Sequence, residues 1–440
     1  MTSEPSGQLE NIKDNNKQGA VLAPSSSTSA FNIKQAQIIC PVCEIKISTL
    51  ELPQGKNAHC PRCDTQLYRG SHKPLRDNLF LALTGLLFLI PCLFFPFVTI
   101  RLFNINFSAN LVSGSYALMK ESSVILGFIV LFCSVLTPLI VFGTVITAHW
   151  GLTRQHFTIF KYSLLIFQRL KHWMMLDVFL LGIAIAFFKL SEYATITPKM
   201  GLACIFLTQI VTIFLLSRLS VSRYWQRWQS SEQFQFDDVQ THCHHCHLSQ
   251  PESQSCVRCG FIIHKRKPNS IQKTWAFLIT AAILILPANL LYISIFYSNG
   301  KRYEDTIFSG VISFVKSGMP EIAFIIFVAS IAVPIAKIIG LIYILIGIQF
   351  KHVTDYTRRM KIYLFVKWIG KWSILDLYVI AITIALVDRD QILDFLPGPA
   401  AIAFAGVVIL TMLAAESLDP RLIWDDSASN TPQKESLHEK

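Results

Sequence analysis

Charge is scarce in this 440-residue sequence: 15% of the residues are charged against 52% hydrophobic, a balance that excludes both a string of ordinary soluble domains and a wholly disordered chain. The charges are also unequal, with 39 Lys and Arg to 28 Asp and Glu. Because the basic residues follow the loops and form no separate arm, the surplus reads as a membrane-orientation signal and not as a nucleic-acid surface. No Walker motif, Gly-rich phosphate loop or Ser, His, Asp constellation is evident, which argues against ATP hydrolysis and lipolysis and for a chain that is not an enzyme. Residues 1 to 35 begin with a Ser, Asn, Gln and Lys-rich stretch that lacks the apolar core of a signal peptide, so a disordered tail is expected there and again at 427 to 440.

What is abundant is clumped. Apolar runs lie near residues 79 to 100, 122 to 148, 172 to 188, 201 to 217, 274 to 297, 321 to 348, 372 to 387 and 400 to 417, each near the roughly 20 residues that a helix needs to cross a bilayer. The expected fold class is an all-α polytopic membrane protein with eight spans. The second and sixth runs are long enough to tilt or project beyond the lipid, while the third and seventh are short. Arg154, Lys161, Arg169 and Lys171 fill the loop after the second run, and Lys351, Arg358, Arg359, Lys361 and Lys367 the loop after the sixth. An excess of Lys and Arg marks the cytoplasmic side, which predicts a multi-pass protein with both termini inside.

Eight of the eleven cysteines form four Cys-x-x-Cys pairs: Cys40 with Cys43, Cys60 with Cys63, Cys243 with Cys246, and Cys256 with Cys259. Two thiolates on one tight turn can face the same ion, and two such turns complete a tetrahedral Zn²⁺ site. Two structural zinc sites are therefore expected, in ribbons at 36–72 and 238–266, and reduced thiols favour the cytosol. A redox-active dithiol is the alternative, without the thioredoxin-like context that it requires. His242, His244, His245 and His247 crowd the second ribbon and offer a substitute ligand. Cys92, Cys133 and Cys204 lie alone in apolar runs and read as packing residues.

The chain also repeats itself. A shift of 196 places Cys60 and Cys63 on Cys256 and Cys259, Pro91 on Pro287, Ser134 on Ser330 and Pro138 on Pro334; a shift of 199 then places Trp173 on Trp372, Asp177 on Asp376 and Thr212 on Thr411. The predicted unit is a zinc ribbon followed by four helices, at 73–228 and again at 267–426, both inserted the same way up. This order, with Lys-His-Trp-Met-Met-Leu-Asp at 171–177, Lys-Trp-Ser-Ile-Leu-Asp at 371–376 and Asp-Pro-Arg-Leu-Ile-Trp-Asp at 419–425, resembles the paraquat-inducible protein A family over roughly residues 36–426. The resemblance implies a Gram-negative inner-membrane protein that works with a periplasm-spanning MCE-domain partner to move lipids.

An ionised side chain at mid-helix costs about 2.5–3.5 kcal/mol on insertion scales, so Lys337, about 15 Å deep in the sixth run at 1.5 Å per residue, needs a reason. Asp376 and Thr411 fall in the same band of depth, and Ser330 and Ser373 share helix faces with Lys337 and Asp376. These five residues are the candidate transport cluster, with a proton shared between Lys337 and Asp376 as its coupling device. The first unit keeps Ser134, Asp177 and Thr212 but has Val141 and Met174 where the second has Lys337 and Ser373, so the working site is expected in the second unit. The competing reading has Lys337 snorkelling to headgroups and the two aspartates tying helix ends together. For the whole protein the alternatives are a zinc- or redox-sensing signalling protein and a self-contained small-molecule exporter.

Overall fold

The computed structural model describes residues 37–48, 57–69, 74–102, 105–121, 124–191, 195–228, 236, 239–298, 301–316, 318–350, 356–387 and 394–425. The tails expected at 1–35 and 427–440 lie outside the described residues. The chain opens with two short antiparallel hairpins, β1 (Gln37–Ile39) with β2 (Lys46–Ser48) and β3 (Asn57–His59) with β4 (Gln66–Arg69).

A helical series follows: α1 (Arg76–Phe94), strands β5 (Val98–Leu102) and β6 (Ile105–Ala109), α2 (Ser113–Glu121), α3 (Val124–Leu131), α4 (Thr137–Arg154), α5 (Phe157–Leu170), α6 (Leu176–Ser191), strand β7 (Thr195–Pro198), α7 (Met200–Arg218) and α8 (Val221–Trp228). After a third hairpin, β8 (Thr241–His242) with β9 (Ser249–Gln250), the order recurs. Its members are α9 (Ser270–Leu290), β10 (Ser294–Ser298), β11 (Lys301–Asp305), α10 (Ile307–Lys316), α11 (Pro320–Phe327), α12 (Val333–Gln349), α13 (Tyr356–Ile369), α14 (Leu375–Val387), β12 (Asp394–Pro397) and α15 (Pro399–Ser417).

Among the described residues, six helical stretches rather than eight are long and apolar enough to span a bilayer: α1, α3 with α4, α7, α9, α11 with α12, and α15. The short third and seventh runs become α6 and α14, of 16 and 13 residues. At 1.5 Å per residue they extend about 24 and 20 Å, short of a hydrocarbon core of about 30 Å.

The all-α expectation also needs correction, because strands replace the loops next to the far helix ends. β5 pairs with both β6 and β7, and β10 with both β11 and β12. β-Branched residues such as Val98, Thr99 and Ile100 favour the extended chain, and pairing satisfies backbone groups where helices stop. In each series the first sheet strand follows the first helix and the last precedes α7 or α15, so the sheet links the segment after α6 to the end of α1, and the segment after α14 to the end of α9.

Proline shapes the two longest helices. Thr137 and Val333 donate their backbone N–H to the carbonyls of Phe132 and Val328, five residues back, which makes π turns of Phe132–Leu136 and Val328–Ala332 just before Pro138 and Pro334. A proline has no N–H and its ring crowds the carbonyl four residues earlier; a wider turn relieves both. Those carbonyls belong to Ser134 and Ser330.

At the start of α15 the chain passes very close to the first sheet strand. A Cβ on Gly398 would fall on the carbonyl oxygen of Tyr292. Gly398→Ala is expected to lower stability by about 1–3 kcal/mol, because backbone and not a flexible side chain must yield; a thermal midpoint equal to wild type contradicts this packing.

Candidate functional site

Each Cys-x-x-Cys sits on a knuckle whose next residue adopts a left-handed backbone: Glu44, Asp64, His247 and Gly260 have φ of 57°, 56°, 58° and 69°. The N–H of each donates to the carbonyl of the first cysteine of its pair, closing the turn and aiming both thiols the same way. In the first ribbon Cys40 and Cys63 sulfurs are 3.6 Å apart and those of Cys43 and Cys60 3.5 Å; in the second, Cys243 and Cys259 are 3.5 Å apart and Cys246 and Cys256 3.4 Å. Four sulfurs at 2.3 Å from a tetrahedral centre are about 3.8 Å apart, so each set is close to the geometry for one metal ion. Both are largely buried, and all ligand atoms in a set lie within 4.8 Å of one another. Among the described residues no histidine joins either set: His247 Nδ1 is 3.4 Å from His242 Nε2, and the His245 ring packs on Phe261.

The ribbons are exchanged between the helical series. The first packs its apolar residues with those of α12, α13 and the chain end beyond α15, and Arg62 lies 4.1 Å over the ring of Trp424. The second packs with the first series: Lys161 of α5 lies 4.1 Å over Phe261, and Gln168 donates to the carbonyl of His245 at 3.1 Å. The two ribbons also meet, where Ile39 donates its N–H to Ser249 Oγ at 3.0 Å.

A clasp of charges closes this face. Asp419 accepts from the Arg421 guanidinium at 2.9 and 3.0 Å and from the Lys267 backbone at 3.1 Å, and it donates its own N–H to Ser270 Oγ at 2.8 Å. Glu44 of the first ribbon accepts from Arg421 at 3.0 Å and from Arg266 at 2.8 and 2.9 Å, and Arg266 also binds Asp425. Burial alone raises the Asp419 carboxyl, but Arg421 and the backbone donors outweigh it and hold the group below its ordinary value.

Asp419 therefore contributes stability that is complete above about pH 4, its unfolded value, and is lost as pH falls through its lower folded value. Asp419→Asn leaves the buried Arg421 guanidinium with the half-exposed Glu44 carboxylate in place of two carboxylate partners and is expected to cost about 3 kcal/mol near neutrality. Thermal midpoints of the variant and wild type should converge in acid; a constant gap across pH rules out this linkage. The 419–425 motif falls outside every apolar run, so nothing in the sequence pattern assigns these residues a role.

In the second series, Lys337 lies deep in α12, 1% exposed, and its Nζ donates to Thr411 Oγ1 of α15 at 2.8 Å. The Thr411 hydroxyl donates in turn to the carbonyl of Val408 at 2.9 Å, which leaves a lone pair for the ammonium. The Ser330 and Ser373 hydroxyls are buried without a hydrogen-bond partner, on a π turn and a 3₁₀ turn (Gly370–Ile374) that pack together. Asp376 falls in the first turn of α14, and its side chain lies outside the described residues. Lys337 thus turns inward to a neighbouring helix, against the snorkelling alternative.

The first series lacks this arrangement. Val141 and Met174 are packed in the core, Ser134 donates to the Val130 carbonyl at 2.7 Å, the Thr212 hydroxyl has no partner, and Asp177 is exposed.

Two recesses flank the cluster. On the sheet side, α2 packs on α14, but in the second series a cleft of about 70 Å³ opens between α6, α10 and α14, lined by Ile185, Ile307, Phe314, Val379, Ile380 and Thr383. From this cleft, Ile326, Ser330 and Lys337 follow one another along one chain segment, and Thr383, Ile380 and Ser373 along another. On the ribbon side, a second cavity of about 40 Å³ adjoins Lys337 and Thr411. No apolar run signals either recess, because both arise where helices remote in sequence separate.

The family model described as "Paraquat-inducible protein A" matches residues 75–229 and 271–428. Over 389 residues, 88% of this chain and 90% of the relative, the sequence is 39% identical to the "Lipophilic envelope-spanning tunnel protein A" of Escherichia coli (strain K12). It is 33% identical over 397 residues, 88% of this chain and 95% of the relative, to the "Probable intermembrane transport protein" of Haemophilus influenzae. The "Intermembrane transport protein PqiA" of Escherichia coli (strain K12) is 30% identical over 429 residues, 92% and 97% of the two chains. No solved structure matches.

Proposed function

The chain belongs to the paraquat-inducible protein A family, and from that premise we propose that it is the inner-membrane subunit of a lipid-transport system. It passes lipids between the inner membrane and a periplasm-spanning MCE-domain partner. The chain crosses the bilayer eight times with both ends in the cytoplasm; α6 and α14 cross inside the protein, where their shortness is covered by neighbouring helices. Each ribbon carries one structural zinc, for which four buried sulfurs at tetrahedral spacing are the support. The relatives named for intermembrane transport support the coarse activity.

The observation that supports the mechanism is a buried lysine that, among the described residues, one of the two similar series holds and the other does not, with the sheet-side cleft opening between that series and α6. An acyl chain enters the apolar cleft, and Lys337 changes its charge as the lipid moves. Asp376 is its proposed proton partner, with Ser330, Ser373 and Thr411 lining the route. Moving a proton from Lys337 to Asp376 neutralises both groups at once, which allows closely packed helices to shift without carrying charge through lipid.

A photoreactive residue at Ile380 tests this reading. It is expected to capture phospholipid from native membranes, whereas one at the packed core position Val141 captures none. Equal capture at both positions, or capture at neither, removes the transport site.

A further inference from the structure

The cavity on the ribbon side of Lys337 is bounded by Val366 and Lys367 of α13, Gly370 of the 3₁₀ turn that follows, one face of α15 (Thr411, Met412, Ala415, Glu416) and His172 of the first series. The α15 positions fall at i, i+1, i+4 and i+5, so that helix presents a continuous stripe to the recess. Its volume, about 40 Å³, exceeds the roughly 10–15 Å³ that one water needs, and polar groups line it as an ordered water requires.

Glu416 is the only carboxylate on the cavity wall among the described residues, and it also meets solvent. Cations surround it: Lys367 from α13, Lys267 from the approach to α9, and Arg169 from α5. Lys267 further fixes the local backbone by donating to the Glu416 carbonyl at 2.7 Å. Among the described residues, the charged and titratable groups that line the cavity beside Lys337 are thus Lys367, Glu416 and His172.

The first series shows what the second has acquired. Positions 141, 168 and 217, which correspond to Lys337, Lys367 and Glu416 under the same shifts, hold Val, Gln and Ser. The three ionisable residues occur together in one series and are missing together from the other.

We propose that Glu416 is the group through which Lys337 exchanges protons with water on the ribbon side, carried by water in this cavity. The proposal rests on the reading that Lys337 cycles its charge. In the release step an N–H bond of the ammonium breaks, its electron pair stays on Nζ, and cavity water takes the proton while passing one of its own to a Glu416 carboxylate oxygen. Lys337 becomes a neutral amine and Glu416 a neutral acid, so the recess gains no net charge; Glu416 then ionises to bulk water. Thr411 is a positioning residue: its lone pair holds the amine at the cavity wall in both states.

The full chain in lipid nanodiscs tests this, with proton uptake followed by a pH-sensitive dye after a rapid drop in pH. The Lys337-dependent phase is the part that Lys337→Met removes. Glu416→Gln is expected to slow that phase by about tenfold or more without changing its amplitude, and Glu416→Asp to restore the wild-type rate. A merely structural role changes amplitude or thermal midpoint and gives no such rescue. An unchanged rate in Glu416→Gln, with the phase still removed by Lys337→Met, overturns the proposal alone; a Lys337→Met trace identical to wild type overturns charge cycling and the proposal with it.

Discussion

Lys337→Met is expected to abolish lipid transport while raising the thermal midpoint. The ammonium is 1% exposed and, among the described residues, has the Thr411 hydroxyl as its hydrogen-bond partner. A group with three N–H donors in that setting has surrendered most of its hydration, and methionine keeps the length of the chain without that cost. Replacing a buried charge by an apolar side chain of similar volume is neutral or stabilising, by up to about 4 kcal/mol.

A residue kept at such a position against stability is retained for what it does. Thr411→Val should reproduce part of the loss, since it removes the acceptor and leaves the ammonium in place. The reverse change, Val141→Lys, buries a charge in a packed core position of the first series and should destabilise by about 2.5–3.5 kcal/mol without creating activity. Lipid transfer and thermal midpoint measured on the same preparations decide the matter: full transport by Lys337→Met ends the mechanism, and a lowered midpoint shows that lysine is part of the scaffold.

Breaking one ribbon is expected to loosen the helices of the other series. Cys40→Ser with Cys43→Ser removes half of the first sulfur set, and a ribbon of this size has too little core to persist without metal, whose binding is worth on the order of 10 kcal/mol in small structural sites. The knuckle that presents Glu44 then opens, and Arg421, Arg266 and Trp424 lose their contacts with the first ribbon. Hydrogen exchange should accelerate at α13 and the end of α15, far along the chain from the mutation. In the second ribbon, Cys256→Ser with Cys259→Ser should release α5, through Lys161 and Gln168. Chelation should give both patterns together. Faster exchange confined to α1 after loss of the first ribbon contradicts the exchanged packing.

The cysteine knuckles, the apolar runs and the depth of Lys337 were legible because each is written in residues near one another: a pair three apart, a run of about 20, a charge inside such a run. The same local code set the starts of α6 and α14 three or four residues early, since an apolar run reports solvation and not where a helix begins. The strands beside α1 and α9 were missed because five residues carry little pattern until a partner strand pairs with them.

What only the tertiary structure decided are the relations between distant segments. Glu44 meets Arg421 across 377 positions of sequence, and Lys337 meets Thr411 across 74. No spacing rule reaches so far: composition determines which residues leave water, whereas the packing of whole helices determines which of them meet, which ribbon rests on which series, and where a cleft stays open.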